Sequence, residues 1–402
     1  MKVLLISRGV PTAKAPLNGI FEWDQALALK NANVDVAFLA LDFRKITEKR
    51  FWGIRRYVRD GIAVFELSLP TGIYRRGLPI LQALCSRMYK KVVRHWGKPD
   101  VLHTHFYFMG AIAAKLPKLA GIPMVHTEHS SKLNKPLAAI SSLDKKLAQK
   151  AFAAASVITA VSTAYASVLA QNFAVRAQVL PNVVALSLSG TSTSSVTDVC
   201  SAASALSGTS TGSVTDGEPI TPFTWVSVGR LIQPKGFDIL LEAFAQTLKE
   251  DANQQLQIVG DGPYRGALQT KIQQLHLTDK VKLLGAMPRN KVQECLANAH
   301  AFVLLSESET FGVSYIEALA MGLPVVATAC GGPSDFVNDS NGLMVPIGDA
   351  ATASVAMQNI ANQYAIYTRE QLSKDIVQKY QPSAVAKQLK EMYTTVCGKI
   401  SL

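Results

Sequence analysis

Two glutamates, Glu309 and Glu317, stand eight positions apart in "ESETFGVSYIE" (307–317), with Phe311 and Gly312 just after the first. The apolar run "AFVLLS" precedes them and "FGVSYIEALAMG" follows, which predicts a strand, a loop carrying Glu309, and a helix starting at about Gly312. Amides at a helix start lack intrahelical acceptors and carry partial positive charge, so those of Val313 and Ser314 would face a phosphate. Glu317, further along the helix, can accept hydrogen bonds from two vicinal hydroxyls such as those of ribose, and Glu309 on the loop can meet a sugar. An isolated pair of this kind is usually two unrelated surface acids, so its neighbours decide. "VSVGRLIQPKGFDILLEAF" places Gly229 and Arg230 at a strand end and Lys235 and Gly236 just before a helix. Two cations and two glycines at a strand-to-helix turn seat an anion, because glycine lets backbone N–H groups approach. The spacing is neither GxxxxGK[ST] nor GxGxxG. Two further turns, "IVGDGP" (258–263) and "LLGAMP" (283–288), follow strands; the second sets Met287 where backbone groups can read the edge of a base.

The elements that must position these residues are α/β. Short apolar strands ("KVLLIS", "VDVAFLA", "VLHTH", "PMVHTEH", "SVITAV") alternate with helix-length segments before residue 181. "FTWVSVG", "LQIVGDG", "VKLLGAM", "AFVLLS" and "PVVATA" do the same after residue 221. Near-continuous apolar strands feeding helices predict parallel sheets covered on both faces, here two doubly wound halves, with ligands at the carboxyl ends of the strands. At 402 residues a single core is too small a container, and two domains are expected: 1–185, a linker over 186–220, and 221–380, followed by a closing helix over 381–402. Between them "SGTSTSSVTD" (189–198) returns as "SGTSTGSVTD" (207–216), a duplicated Ser/Thr/Gly insertion to which no chemistry is assigned.

The net charge of +12 is unevenly spread: residues 1–180 hold 26 Lys plus Arg against 10 Asp plus Glu, whereas the remainder is slightly acidic. In the first half Leu78, Leu81, Leu84 and Met88 recur at helical spacing with Arg87, Lys90, Lys91 and Arg94 around them. Such a helix suits an anionic membrane surface and equally a solvated protein face. No nucleic-acid recognition module is present. Five scattered cysteines without a CxxC argue for a reducing compartment. "MKVLLISRG" has too short an apolar run for a signal segment, and uncharged 151–175 divides into a strand and a helix rather than a span.

"GRLIQPKG", "IVGDGP", "ESETFGVSYIEALAMGLPVVAT", "GGP" and "NGLMVP" resemble the donor half of the retaining GT-B glycosyltransferases of GT4 type, almost unbroken over 223–349. In the first half "RGVPTAKAPLNGIFEWDQALAL" is similar to that family's glycine loop, with Gly19 opening a helix, and in "GIPMVHTEHS" His129 matches the family's histidine near the reacting carbon. His103, His105 and Glu128 match less clearly, and Ala185 stands where an acid is usual.

The resemblance implies two Rossmann-like domains facing across a cleft, with the C-terminal helix returning to the first domain. It further implies that Arg230 and Lys235 hold the diphosphate of a nucleotide sugar, UDP favoured over GDP, that Glu317 binds ribose, and that Glu309 contacts the hexose. No cofactor and no metal are expected, since fixed cations and helix amides can stabilise the departing diphosphate. The expected activity is hexosyl transfer to a glycan or lipid-linked acceptor in cell-surface polysaccharide synthesis, in the cytoplasm or on the inner face of its membrane. An enzyme acting on soluble acceptors, or a non-catalytic nucleotide-sugar-binding protein, is the alternative.

Overall fold

The structure is a computed structural model describing residues 1–12, 15, 17–44, 51–70, 77–184 and 222–398. The duplicated 189–216 segment and Ala185 lie outside them. The chain divides into two compact units, Met1–Val183 with Tyr380–Leu402, and Val184–Lys379.

The first unit carries strands β1 (Lys2–Ser7), β2 (Asp35–Arg44), β3 (Gly53–Arg59), β4 (Ile62–Pro70), β5 (Val101–His105), β6 (Met124–Glu128), β7 (Val157–Ala160) and β8 (Ala177–Val179). They form one sheet in the order β3-β4-β2-β1-β5-β6-β7-β8, parallel except for the β3–β4 pair. Alternation along β1 divides the core between two faces. Val3 and Leu5 pack beneath helix Ile20–Asn31, while Leu4 and Ile6 pack beneath helix Leu78–Trp96. The β3–β4 hairpin was not expected from the sequence, where its arginines read only as charge. Its signal is Asp60-Gly61, both at positive φ (50° and 74°), the dipeptide of a two-residue hairpin turn.

Helix Pro382–Gly398 belongs to this first unit. It buries Val385, Ala386, Leu389, Tyr393 and Val396 in the same cluster as Val3 and Leu5. Helix Leu78–Trp96 departs from one of its sequence readings. Leu81, Cys85, Met88, Tyr89 and Val92 are in the core, with Leu78 and Leu84 packed against it, so the apolar stripe covers the sheet and is not available to a bilayer. Arg87, Lys90, Lys91 and Arg94 remain exposed on the other side. Among the described residues no helix is long and apolar enough to cross a membrane.

The second unit is an all-parallel sheet of β9 (Phe223–Val228), β10 (Gln254–Val259), β11 (Val281–Gly285), β12 (Ala301–Leu304), β13 (Val325–Thr328) and β14 (Gly342–Val345), in the order β11-β10-β9-β12-β13-β14. Strand order reverses between β9 and β12 here, and between β1 and β5 in the first unit. At such a switch point the loops leave in opposite directions and open a crevice at the carboxyl edge.

Candidate functional site

In the second unit the candidate residues gather at the β9/β12 switch point. The chain leaves β9 through Gly229 and an exposed Arg230, makes a short turn over Gln233–Lys235, and enters helix Phe237–Glu250 at Gly236. Gly236 has φ 63°, and a Cβ there would sit 1.9 Å from the Leu305 carbonyl oxygen, so this turn lies directly on the end of β12. That contact sets Lys235 beside the loop after β12. The Glu307 N–H donates to the Pro234 carbonyl (2.9 Å), tying the two loops together.

Lys235 Nζ donates to Glu309 Oε1 at 2.5 Å, and Ser306 Oγ donates to the same oxygen at 2.8 Å. Both bonds land on Oε1. The backbone of Glu309 is clamped as well: its N–H donates to the Cys330 carbonyl (3.1 Å) and its carbonyl accepts from Gly332 N–H (3.0 Å). A loop carboxylate is thus fixed in place, with a lysine 74 residues away in sequence as its counter-ion.

Helix Val313–Ala320 starts at Gly312 (φ 94°), which has no side chain to cap it. The first intrahelical bonds are those of Tyr315 and Ile316 N–H to the Gly312 carbonyl, so Val313 and Ser314 present the amides that helix geometry leaves without an intrahelical acceptor. The Tyr315 hydroxyl donates to the Leu304 carbonyl (2.7 Å) and fixes the helix to β12. Glu317, one turn on, accepts from Arg289 Nη2 at 3.2 Å. Phe311 is buried against Phe336, so it can offer a ligand only its backbone. Met287 is half-buried beyond β11, its sulfur 3.9 Å from that of Cys295.

Gly19 and His129 belong to the first unit, around its own switch point. Gly19 precedes helix Ile20–Asn31 at φ 74°, and a Cβ there would lie 2.1 Å from the Gly9 carbonyl oxygen and 3.2 Å from Ser7 Oγ. The chain after β1 therefore crosses the helix start at backbone contact. Gly19→Ala is expected to lose at least about 1–3 kcal/mol of stability, measured by chemical denaturation, from the left-handed φ alone. Within the first turn of the helix, buried Glu22 accepts from Ser7 Oγ (3.1 Å) and lies 3.8 Å from Arg8 Nε. Burial pushes its carboxyl upward against the pull of Arg8.

His129 follows β6 and is buried. Its ring faces Phe106 (4.9 Å between centroids) and Phe21 (6.2 Å), and Nε2 lies 2.9 Å from His105 Nδ1. Arg8 sits 4.0 Å over the Phe106 ring. Burial first, then the nearby Arg8 charge, lowers the His129 imidazole to about 3, with Asn182 opposing. The group is neutral at physiological pH. Of the other first-half candidates, Glu128 accepts from the N–H groups of His129 (2.9 Å) and Ser130 (2.7 Å), and so shapes the loop that presents His129.

Four site residues were missed in the sequence. Ser306 and Arg289 each hold one of the paired glutamates, and Arg8 and Glu22 flank the glycine loop. Arg289 had a readable signal, as the residue after Pro288 at the strand-end turn. Ser306 and Glu22 become legible only through what they touch.

Comparison with known proteins agrees with this architecture. The chain resembles the WcaL protein of Escherichia coli K12, whose name assigns it to colanic acid biosynthesis, at 35% identity over 33% of this chain and 34% of that one. It resembles TuaC of Bacillus subtilis 168, named for teichuronic acid biosynthesis, at 26% identity over 98% of this chain and 99% of that one. The matched stretch thus spans about a third of WcaL but nearly all of TuaC.

Among solved structures, a sucrose-phosphate synthase from Thermosynechococcus elongatus superposes with a TM-score of 0.77 at 21% identity, covering 99% of this chain and 100% of that one. HepE from Anabaena, solved in complex with UDP-glucose, gives 0.68 at 19% identity over 98% and 100%. At these identities the structures report the fold, two Rossmann-like units of GT-B type. The model of the Glycosyltransferase Family 4 matches residues 23–188 and that of the Glycosyl transferases group 1 matches 215–378. One match falls in each half of the chain, and the protein belongs to this family of GT-B glycosyltransferases.

Proposed function

We propose that the protein is a retaining hexosyltransferase that moves a hexose from a nucleoside-diphosphate sugar to a hydroxyl of a glycan or lipid-linked acceptor in the assembly of a cell-surface polysaccharide. The observation that carries this reading is the junction at the β9/β12 switch point. A lysine, a clamped carboxylate and a helix N-terminus share one strand edge there, with a second carboxylate one helical turn on. Lys235, exposed Arg230 and the amides of Val313 and Ser314 suit the diphosphate. Glu317, held by Arg289, suits ribose hydroxyls, and Glu309 suits the hexose. His129 enters as a neutral sugar-contacting group, as the family resemblance implies. The names of WcaL and TuaC support a polysaccharide product, and the HepE complex supports a UDP-linked donor.

The chemistry asked of these residues is charge stabilisation. As the glycosidic bond to the diphosphate breaks, negative charge grows on the leaving oxygen, and fixed cations with helix amides stabilise it without reorganising. The acceptor hydroxyl attacks the anomeric carbon on the face the diphosphate leaves, and the departing phosphate takes its proton. Calorimetric titration against UDP-, GDP- and ADP-sugars tests the donor class; failure of every member to bind, with the protein folded, would overturn the assignment. Because Lys235 and Arg230 do this work, EDTA is expected to leave the transfer rate unchanged, as measured by release of nucleoside diphosphate.

Contact with an anionic membrane is part of the same proposal, in a narrower form than the sequence suggested. The apolar side of helix Leu78–Trp96 is in the core, so only its exposed Arg87, Lys90, Lys91 and Arg94 can act, through charge. Sedimentation with phosphatidylglycerol vesicles at low salt, lost at about 0.5 M salt through screening, is the expected result. Binding that persists at high salt would speak for an inserted apolar element instead.

A further inference from the structure

We propose that Arg8 seats an oxyanion, a phosphate or carboxylate carried by the acceptor, in the crevice at the β1/β5 switch point of the first unit. The proposal rests on the transferase reading for which substrate brings the anion. It adds that the acceptor is recognised by charge, through a cation separate from those that suit the donor diphosphate.

Arg8 is the first residue after β1 and Phe106 the first after β5, so they leave the sheet on either side of the reversal in strand order. Their side chains meet there, the guanidinium carbon 4.0 Å from the centre of the Phe106 ring. Phe106 lies 4.9 Å from the His129 ring, which stacks on Phe21 at 6.2 Å with 10° between planes. Phe21, His129, Phe106 and Arg8 thus form a continuous run of contacts, buried at the imidazole and exposed at the guanidinium. Phe106 is held under strain. Its backbone lies at φ 65° and ψ 134°, where residues with a side chain rarely rest. It is pinned there by its N–H, which donates to the Thr127 carbonyl (3.0 Å), and by its carbonyl, which accepts from Gly110 N–H (3.0 Å). Glycine would relieve the strain but would remove the ring, and with it the platform against which Arg8 rests.

The donors of Arg8 are uncommitted. Attraction of a cation to a ring face uses its charge and none of its N–H groups. The carboxylate beside it, that of buried Glu22, stands 3.8 Å from Nε, outside hydrogen-bonding distance, and the oxygen concerned already accepts from Ser7. Among the described residues the guanidinium donates no hydrogen bond, and the side chain keeps 43% of its accessible surface. A solvated arginine ordinarily moves freely. Here the ring and the buried acid restrain the head, so a ligand meets a fork of donors with less freedom left to lose. That fork matches the paired oxygens of a carboxylate or phosphate. Half-buried Phe21 and Phe106 add apolar surface beside the cation, which suits an acidic sugar better than a bare ion. The donor diphosphate has Lys235, Arg230 and the amides of Val313 and Ser314 in the second unit, which leaves Arg8 for the other substrate.

The test saturates the full chain with UDP, so that the donor's anion sites are filled, and titrates three probes: glucuronate, glucose 1-phosphate and glucose. Saturation-transfer NMR gives their affinities. The two anionic probes are expected to bind about tenfold tighter than glucose, and Arg8→Gln to bring them within about twofold of it. Arg8→Lys, which keeps the charge but not the planar fork, should fall between. Lys118→Gln removes an exposed cation elsewhere on the same unit and should change nothing, which separates a local contact from net charge. By calorimetry, UDP should bind Arg8→Gln as it binds the unaltered protein.

Equal binding of the three probes, or anion binding that survives Arg8→Gln, overturns the proposal. A tenfold loss of UDP affinity in Arg8→Gln, with probe binding unaltered, would give Arg8 to the donor diphosphate and overturns it likewise. If UDP does not bind the unaltered protein, the donor reading is what falls. Titration of the ligand-free protein and its Arg8 variants with the same probes then still decides the role of Arg8.

Discussion

Replacing Glu309 by alanine is expected to lower sugar transfer by about a thousandfold or more while the protein continues to bind nucleoside diphosphate. The loop carboxylate is clamped at both its backbone and one carboxylate oxygen. A group fixed before the ligand arrives needs no reorganisation during the reaction, which is the condition for a large rate effect. Its loss leaves Lys235 without its counter-ion. That pair is partly exposed, its side chains keeping 24% and 11% of their accessible surface, so breaking it shifts diphosphate affinity by only about 1 kcal/mol. Lys235→Met should behave in the opposite way, costing diphosphate affinity directly. Calorimetry with UDP beside a transfer assay separates the two. Full turnover by Glu309→Ala would take that residue out of the mechanism, and equal UDP affinity in Lys235→Met would take the lysine out of the donor site.

Mild acid is expected to destabilise the first unit sharply. His103, His105 and His129 are all held below the ordinary histidine value, chiefly by burial, with His129 brought to about 3. The unfolded chain then binds more protons than the folded one from about pH 6.5 downwards, so stability falls as pH falls. Each imidazole contributes roughly 1.4 kcal/mol per pH unit below that point. With three acting together, about 1.5 pH units suffice to remove several kcal/mol, a large part of a typical domain's stability. Glu22, whose carboxyl is pushed upward by burial, works in the opposite sense, as one group against three. Urea unfolding followed at pH 7.5, 6.0 and 5.0 measures the slope. A midpoint independent of pH across that range would show that these rings carry protons in the folded state.

How much of this was legible in advance depended on the range of the interaction. Local patterns were readable. Near-continuous apolar runs between helix-length segments announced two parallel sheets, because a strand buried on both faces must be apolar throughout. The spacing of Glu309 and Glu317 announced one acid on a loop and one a helical turn in, because helix periodicity converts sequence distance into direction. Arg230 and Lys235 were legible as an anion seat because the chemistry of a strand-to-helix turn is contained within a few residues.

Where a surface could be covered in two ways, the pattern was silent. The stripe Leu78, Leu81, Leu84 and Met88 specifies an apolar side but not what lies against it, and the sheet claims it. The β3–β4 hairpin was hidden by its arginines. Alternate positions of a half-buried edge strand tolerate charge, so only the Asp60-Gly61 turn betrayed it.

Contacts between distant segments belonged to the tertiary structure alone. Lys235 meets Glu309 because β9 and β12 are neighbours at a reversal of strand order, and nothing in either segment encodes the other. Tyr393 meets His103 across 290 residues because the last helix packs onto the first unit. Residue types and local spacing determined which chemistry this protein carries, since they set charge, hydrogen-bonding capacity and secondary structure. Which acid is paired, which histidine is neutral and which ring is held were decided by burial and by strand order, quantities that exist only once the chain has closed on itself.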